Sequence, residues 1–153
     1  MELRLQRSAN AMISVEASAS KGLLGEAMAT IDKAIENDPQ NGFVVMTKAR
    51  MLKRQAQMFK PPDEDNLKQA ITYADRAVAL LPNQGEAIYN KACYQALLDP
   101  NGLKSEVLKN LKAAFRLNPA LRQTAKHDND LLGSLKDDGD FAVLTGLDQP
   151  PGA

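Results

Sequence analysis

The sequence predicts an all-α fold, and within that class an α-α superhelix (solenoid) of three helical hairpins followed by C-terminal capping helices. Three observations predict it. Small residues recur on amphipathic stretches, first as Ala27 and Ala34, then as Ala70 and Ala77, then as Val107 and Ala114. Each stretch is closed shortly afterwards by a proline: Pro39, Pro82 and Pro119. No segment shows the two-residue alternation of a half-buried strand. Self-similarity at a long period marks a repeat architecture, in which neighbouring copies bury each other's apolar faces.

Composition bounds the rest. A chain of 153 residues is long enough for one domain with a real core. Its 44% hydrophobic share is that of a globular protein rather than a disordered one. Nineteen basic residues balance nineteen acidic ones, so no global field draws in nucleic acid or an anionic membrane. With three Tyr, four Phe and no Trp, few rings are present for stacking bases. The single Cys93 excludes an internal disulfide and reads as a small core residue in a reducing compartment. Glu2, Arg4, Arg7 and Glu16 interrupt the first stretch, which therefore lacks the apolar centre of a signal peptide. No apolar run reaches membrane-spanning length. The expected location is cytoplasmic, with no membrane contact.

Each element follows from local chemistry. Met1–Ser20 reads as a helix and Lys21–Gly22 as its turn, glycine being cheap in a left-handed cap. Leu23–Asn37 places Leu24, Met28, Ile31 and Ile35 on one face, and Asp38–Pro39 ends it. Phe43–Phe59 is the next helix, stopped by Lys60–Pro61–Pro62. Asp63 is a candidate N-cap, with Glu64 and Asp65 at the positive end of the helix Leu67–Leu81. Gln84–Gly85 echoes Asn41–Gly42. Glu86–Leu98 and Lys104–Leu117 form the last hairpin around the turn Asp99–Pro100–Asn101–Gly102. A more polar helix, Ala120–His127, has Leu121 and Ala125 as its apolar contacts. Asp130 and Asp140 are the expected caps of two short turns, whose Leu131, Leu135, Phe141 and Leu144 fold back over the open end. One domain over residues 1–145 is expected, with repeats at about 5–40, 41–83 and 84–119 and a cap over 120–145. Residues 146–153 form a flexible tail.

These residues resemble the tetratricopeptide repeat (TPR) family, helical hairpins of about 34 residues. The resemblance rests on Ala49 and Ala92 in the first helices, on the alanines and valine above in the second helices, and on the three prolines. Gly85-Glu-Ala-Ile-Tyr-Asn-Lys-Ala92 is similar to the family's first-helix pattern, and the ending from Asp128 to Phe141 is similar to a tail that follows the last repeat in many members. The intervals between prolines exceed the usual period, and the excess fits around Phe59–Asn66 and Asp99–Gly102. Met1–Ser20 is a poor match to a first helix.

The resemblance implies a non-catalytic module binding a peptide or helix of a protein partner in a concave groove. Its register implies groove positions at Met12, Glu16, Phe43, Met46, Arg50, Lys53, Arg54, Glu86, Tyr89 and Cys93. The clamp with which some members hold a chaperone's C-terminal carboxylate is absent, because Met12, Glu16, Thr47, Glu86 and Asn90 stand at its places. Met12, Phe43, Met46 and Tyr89 offer an adaptable apolar surface. Arg50, Lys53 and Arg54 suit an acidic or phosphorylated segment, although Arg50 pairing with Glu16 and Glu86 is the simpler alternative. A self-associating or intramolecular scaffold module, its groove filled by its own chain, is the second functional reading. A nucleic-acid-linked regulator is the third, from the acid-free interval Lys48, Arg50, Lys53, Arg54 and Lys60. The Phe59–Asn66 insertion is a further candidate site.

No catalytic residues, cofactor or metal are expected. His127 lies beside Asp128 with no nearby nucleophile or second ligand. Asp137, Asp138 and Asp140 lack the Glu that closes a calcium loop and serve better as helix caps. No phosphate loop or triad pattern is present.

Overall fold

The computed structural model describes residues 24–147. The expected first helix, its Lys21–Gly22 turn and residues 148–153 lie outside the described residues. Those described are all-helical, with eight helices and no strand among them: α1 (Leu24–Asn37), α2 (Gly42–Ala56), α3 (Glu64–Leu80), α4 (Gly85–Leu98), α5 (Lys104–Leu117), α6 (Leu121–Ala125), α7 (Asn129–Leu135) and α8 (Gly139–Thr145). They fall into two compact units that divide between Pro82 and Asn83.

In the first unit α2 packs against α3 along its length and against α1 more briefly. Small residues make the close approach possible: Ala27, Ala49, Ala70, Ala74 and Ala77 are all buried. Met51 fills the space beside Ala27, with Leu24 and Met28 packed around it. Asn41 caps α2 by accepting from the N–H groups of Phe43 (3.1 Å) and Val44 (3.3 Å). Gly42, the first residue of α2, lies against Leu80 and Leu81, so that a Cβ there would collide with the Leu81 side chain.

The second unit repeats this arrangement. Within the α4–α5 pair, Ala92, Val107, Leu111 and Ala114 are buried. Gly85 opens α4 as Gly42 opens α2, and a Cβ on it would meet the carbonyl oxygen of Ala114 at 2.8 Å. The echo between Asn41–Gly42 and Gln84–Gly85 is therefore steric, each glycine letting a first helix begin against the end of a second. Gln95, buried in α4, ties the pair: its Nε2 donates to Glu106 (3.0 Å) and its Oε1 accepts from Asn110 (2.8 Å).

Several boundaries differ from expectation. The helix expected to run to Phe59 ends at Ala56, whose carbonyl accepts from both Phe59 and Asp63 and closes the loop on itself. The following helix begins at Glu64, three residues early, with Asp63 accepting from Asn66 N–H at 2.9 Å as its cap. Asp128 and Asp138, not Asp130 and Asp140, cap the two short C-terminal helices; they accept from the N–H groups of Asp130 and Phe141. Starting two residues earlier puts Asp130 and Asp140 in the first turns, where their charge suits the helix dipole. Gly146 adopts a left-handed φ of 76° and, with Leu147, donates to the Ala142 carbonyl, closing α8 with a glycine cap.

The C-terminal helices bury apolar residues of their own. Leu121, Ala125, Leu131, Leu135 and Phe141 are buried, and Leu144 is half-buried. α7 lies chiefly on α4, and α8 on α5 and α6.

Candidate functional site

On α2, Phe43, Met46, Arg50 and Lys53 follow steps of three and four residues and so share one helical face. Arg54 adjoins Arg50 on the next row. All five are half-buried, in contrast to Val44, Val45, Ala49, Leu52 and Ala56, which complete the core. The face runs from an aromatic and a thioether at its N-terminal end to three cations at its C-terminal end. Lys53 and Arg54 lie in the last turn of α2, where the negative end of the helix dipole favours positive charge. Met12 and Glu16 lie outside the described residues.

Lys48 leaves the basic interval. It is 8% exposed, its Nζ pairs with Asp32 at 2.6 Å, and it stands 5.6 Å from the centre of the Tyr73 ring. Its ammonium thus joins one helix of the unit to the side of another, a structural duty. The acid-free run in sequence is not one exposed basic face. Phe59, which opens the insertion, and Met58 just before it are 58% and 70% exposed.

The second unit treats its candidates differently. Tyr89 and Cys93 are only 5% and 3% exposed. The Tyr89 hydroxyl donates to Asp128 Oδ2 at 2.7 Å, and Cys93 Sγ lies 3.7 Å from the same oxygen. The other oxygen of Asp128 caps α7. One carboxylate therefore both starts α7 and fastens its beginning to α4, one turn apart on that helix (Tyr89 and Cys93). Burial raises the pKa of both the phenol and the thiol, and the negative charge of Asp128 raises them further. Neither group is a ready nucleophile. Glu86 is half-buried and accepts from Asn118 Nδ2 at 2.6 Å, holding the start of α4 to the end of α5.

Asp137–Asp140 contains the partners of a cation already present in the chain. Lys104 pairs with Asp138 and, at 3.7 Å, with Asp140. The ammonium hydrogen bond, with the Phe141 N–H second, holds the Asp138 carboxyl below its ordinary range; the same bond holds Lys104 above its own. Among the described residues no three His, Cys, Asp or Glu side chains converge in a way that would hold a metal ion, and no helix is long and apolar enough to cross a membrane.

No protein-family model matches this chain, and no curated protein matches it in sequence.

Two roles were not legible from the sequence. The Lys48–Asp32 pair spans separate helices and has no sequence spacing that announces it. Asp128 was within reach: it precedes an apolar pair, as a cap should, but its second role depends on where α7 comes to rest.

Proposed function

We propose that the chain is a TPR-like, non-catalytic interaction module whose first unit binds a partner's acidic and apolar segment along the half-buried face of α2. The observation that carries this is the half-buried row Phe43, Met46, Arg50, Lys53 and Arg54, graded from apolar to cationic over one helix face. A row of this kind fits a segment with an apolar anchor near Phe43 and Met46 and a carboxylate or phosphoryl group near the cations. Methionine adapts to the shape of an apolar anchor. Arg50 offers planar, bidentate hydrogen bonding to an anion, which lysine does not.

The test is affinity selection from a random peptide library, followed by titration of the selected peptide. Acidic residues beside an apolar anchor are the expected selection. Charge reversal by Arg50→Glu with Lys53→Glu is expected to weaken binding by about tenfold or more, since two charge-assisted contacts become repulsive. Unchanged affinity removes α2 as the site.

A second reading, the intramolecular scaffold, is supported at the second unit. There Tyr89 and Cys93, two of the groove positions the family resemblance implies, are closed over by the chain's own α7 through Asp128. On this reading the second unit serves to hold the array together, and ligand selectivity belongs to α2.

A further inference from the structure

A pocket of about 210 Å³ opens in the second unit among Lys112, Phe115, Arg116, Arg122 and Leu144. Three of its five lining residues are cations, and they come from two helices: Lys112 and Arg116 are one turn apart on α5, and Arg122 is on α6. The apolar side is supplied by Phe115, which is buried, and by Leu144 of α8, which is half-buried. The Arg122 guanidinium lies 5.6 Å from the centre of the Phe115 ring, so this cation, like the exposed Lys112 and Arg116, remains open to solvent while one side of it faces an aromatic ring. Among the described residues no carboxylate is ion-paired with Lys112, Arg116 or Arg122. On α8 and at its start, Asp138 and Asp140 are engaged by Lys104. The end of α5 accounts for one charge: Arg116 lies in the last turn, where the helix dipole favours it. Lys112 has no such dipole partner, and an anion placed between the three cations would offset their mutual repulsion.

We propose that this pocket binds a phosphate monoester with an apolar organic part, its phosphoryl group held by Lys112, Arg116 and Arg122 and its hydrocarbon lying against Phe115 and Leu144. Charge count favours phosphoryl over carboxylate, because a monoester carries close to two negative charges at neutral pH and three acceptor oxygens for three cationic side chains. Guanidinium groups match those oxygens in pairs, and the lysine adds a point charge. Size limits the organic part. Pockets for drug-sized ligands run to about 300–1,000 Å³, so a volume of 210 Å³ admits one ring or a short chain beside the anion. None of these residues belongs to the α2 face, so this site and the peptide site stand or fall separately.

The test uses the full chain and three probes: phenyl phosphate, inorganic phosphate and 3-phenylpropionate. Binding is followed by titration calorimetry and by the Leu144 methyl resonances. Saturable binding of phenyl phosphate is expected, with affinity at least about fivefold above either control and falling as salt rises. Arg116→Gln with Arg122→Gln is expected to weaken it about tenfold or more. Should that pair disturb the helical circular dichroism, Lys112→Gln, a single change at an exposed position, is expected to weaken binding about threefold. Equal affinity for inorganic phosphate overturns the role of Phe115 and Leu144, and equal affinity for phenylpropionate overturns the phosphoryl assignment. Binding unaltered by the substitutions, or no saturation with any probe, overturns the site itself.

Discussion

A single carboxylate sets much of the second unit's C-terminal half. Asp128 caps α7 with one oxygen and receives the Tyr89 hydroxyl and the Cys93 thiol with the other. Tyr89→Phe removes one hydrogen bond to a charged acceptor without creating a large void, and is expected to cost about 1–3 kcal/mol in urea unfolding. Asp128→Ala removes the cap as well and leaves the buried phenol without its acceptor, so a larger loss of about 2–4 kcal/mol is expected. Equal losses from the two would contradict the double role. Cys93 gives an independent check: its buried thiol, with a raised pKa, is expected to react with a thiol reagent at pH 7.5 only as fast as the unit opens. Rapid stoichiometric labelling of the folded protein would show that α7 does not cover it.

At the scale of elements, the beginnings of α2 and α4 are governed by contact rather than by helix propensity. Gly85→Ala brings a methyl group against the Ala114 carbonyl, and about 1–3 kcal/mol of destabilisation is expected by thermal or urea unfolding. A neutral result would mean that α4 starts further from the end of α5 than the structure has it. The start of the short helix α8 is tied to α5 by the Lys104–Asp138 pair. Because the Asp138 carboxyl is held below its unfolded range, the pair's contribution is complete above pH about 4 and is lost as pH falls through the folded-state value. Acidification below pH about 4 is therefore expected to lower amide protection in Gly139–Thr145, and Lys104→Met is expected to lower it already at neutral pH. Protection in α8 that ignores both changes would remove the pair from its account. These elements also mark how far the sequence could be read. The second-helix alanines and their prolines announced the hairpins because close crossing requires small side chains at fixed spacing. Asp128 and Asp138 were hidden by Asp130 and Asp140, two residues on, since either aspartate of each pair satisfies a cap pattern. The end of α2 was misplaced because Met58 and Phe59 are apolar in a place where burial would be expected, yet they stand in solvent.

At the scale of the molecule, the two units put the same helical-hairpin grammar to different ends. The second covers Tyr89 and Cys93 with its own α7, while the first has a graded apolar-to-basic, half-buried face on α2. The candidate site was accordingly legible only in part. The register that implied Phe43, Met46, Arg50, Lys53 and Arg54 also implied Tyr89 and Cys93, and spacing alone could not distinguish a half-buried face from a covered one. Lys48 illustrates the same limit, being one charge in a basic run that burial assigns to Asp32 and Tyr73. Nor does spacing bring Arg122 to Lys112 and Arg116, which are collected into one pocket only by the turn after α5. The most direct measurement of the central proposal is an amide and methyl shift map of the full chain titrated with the library-selected peptide. Perturbations centred on residues 43–54 are predicted, strongest at Phe43, Met46 and Arg50. A map confined to residues 112–144, or one unchanged by Arg50→Glu with Lys53→Glu, would contradict it.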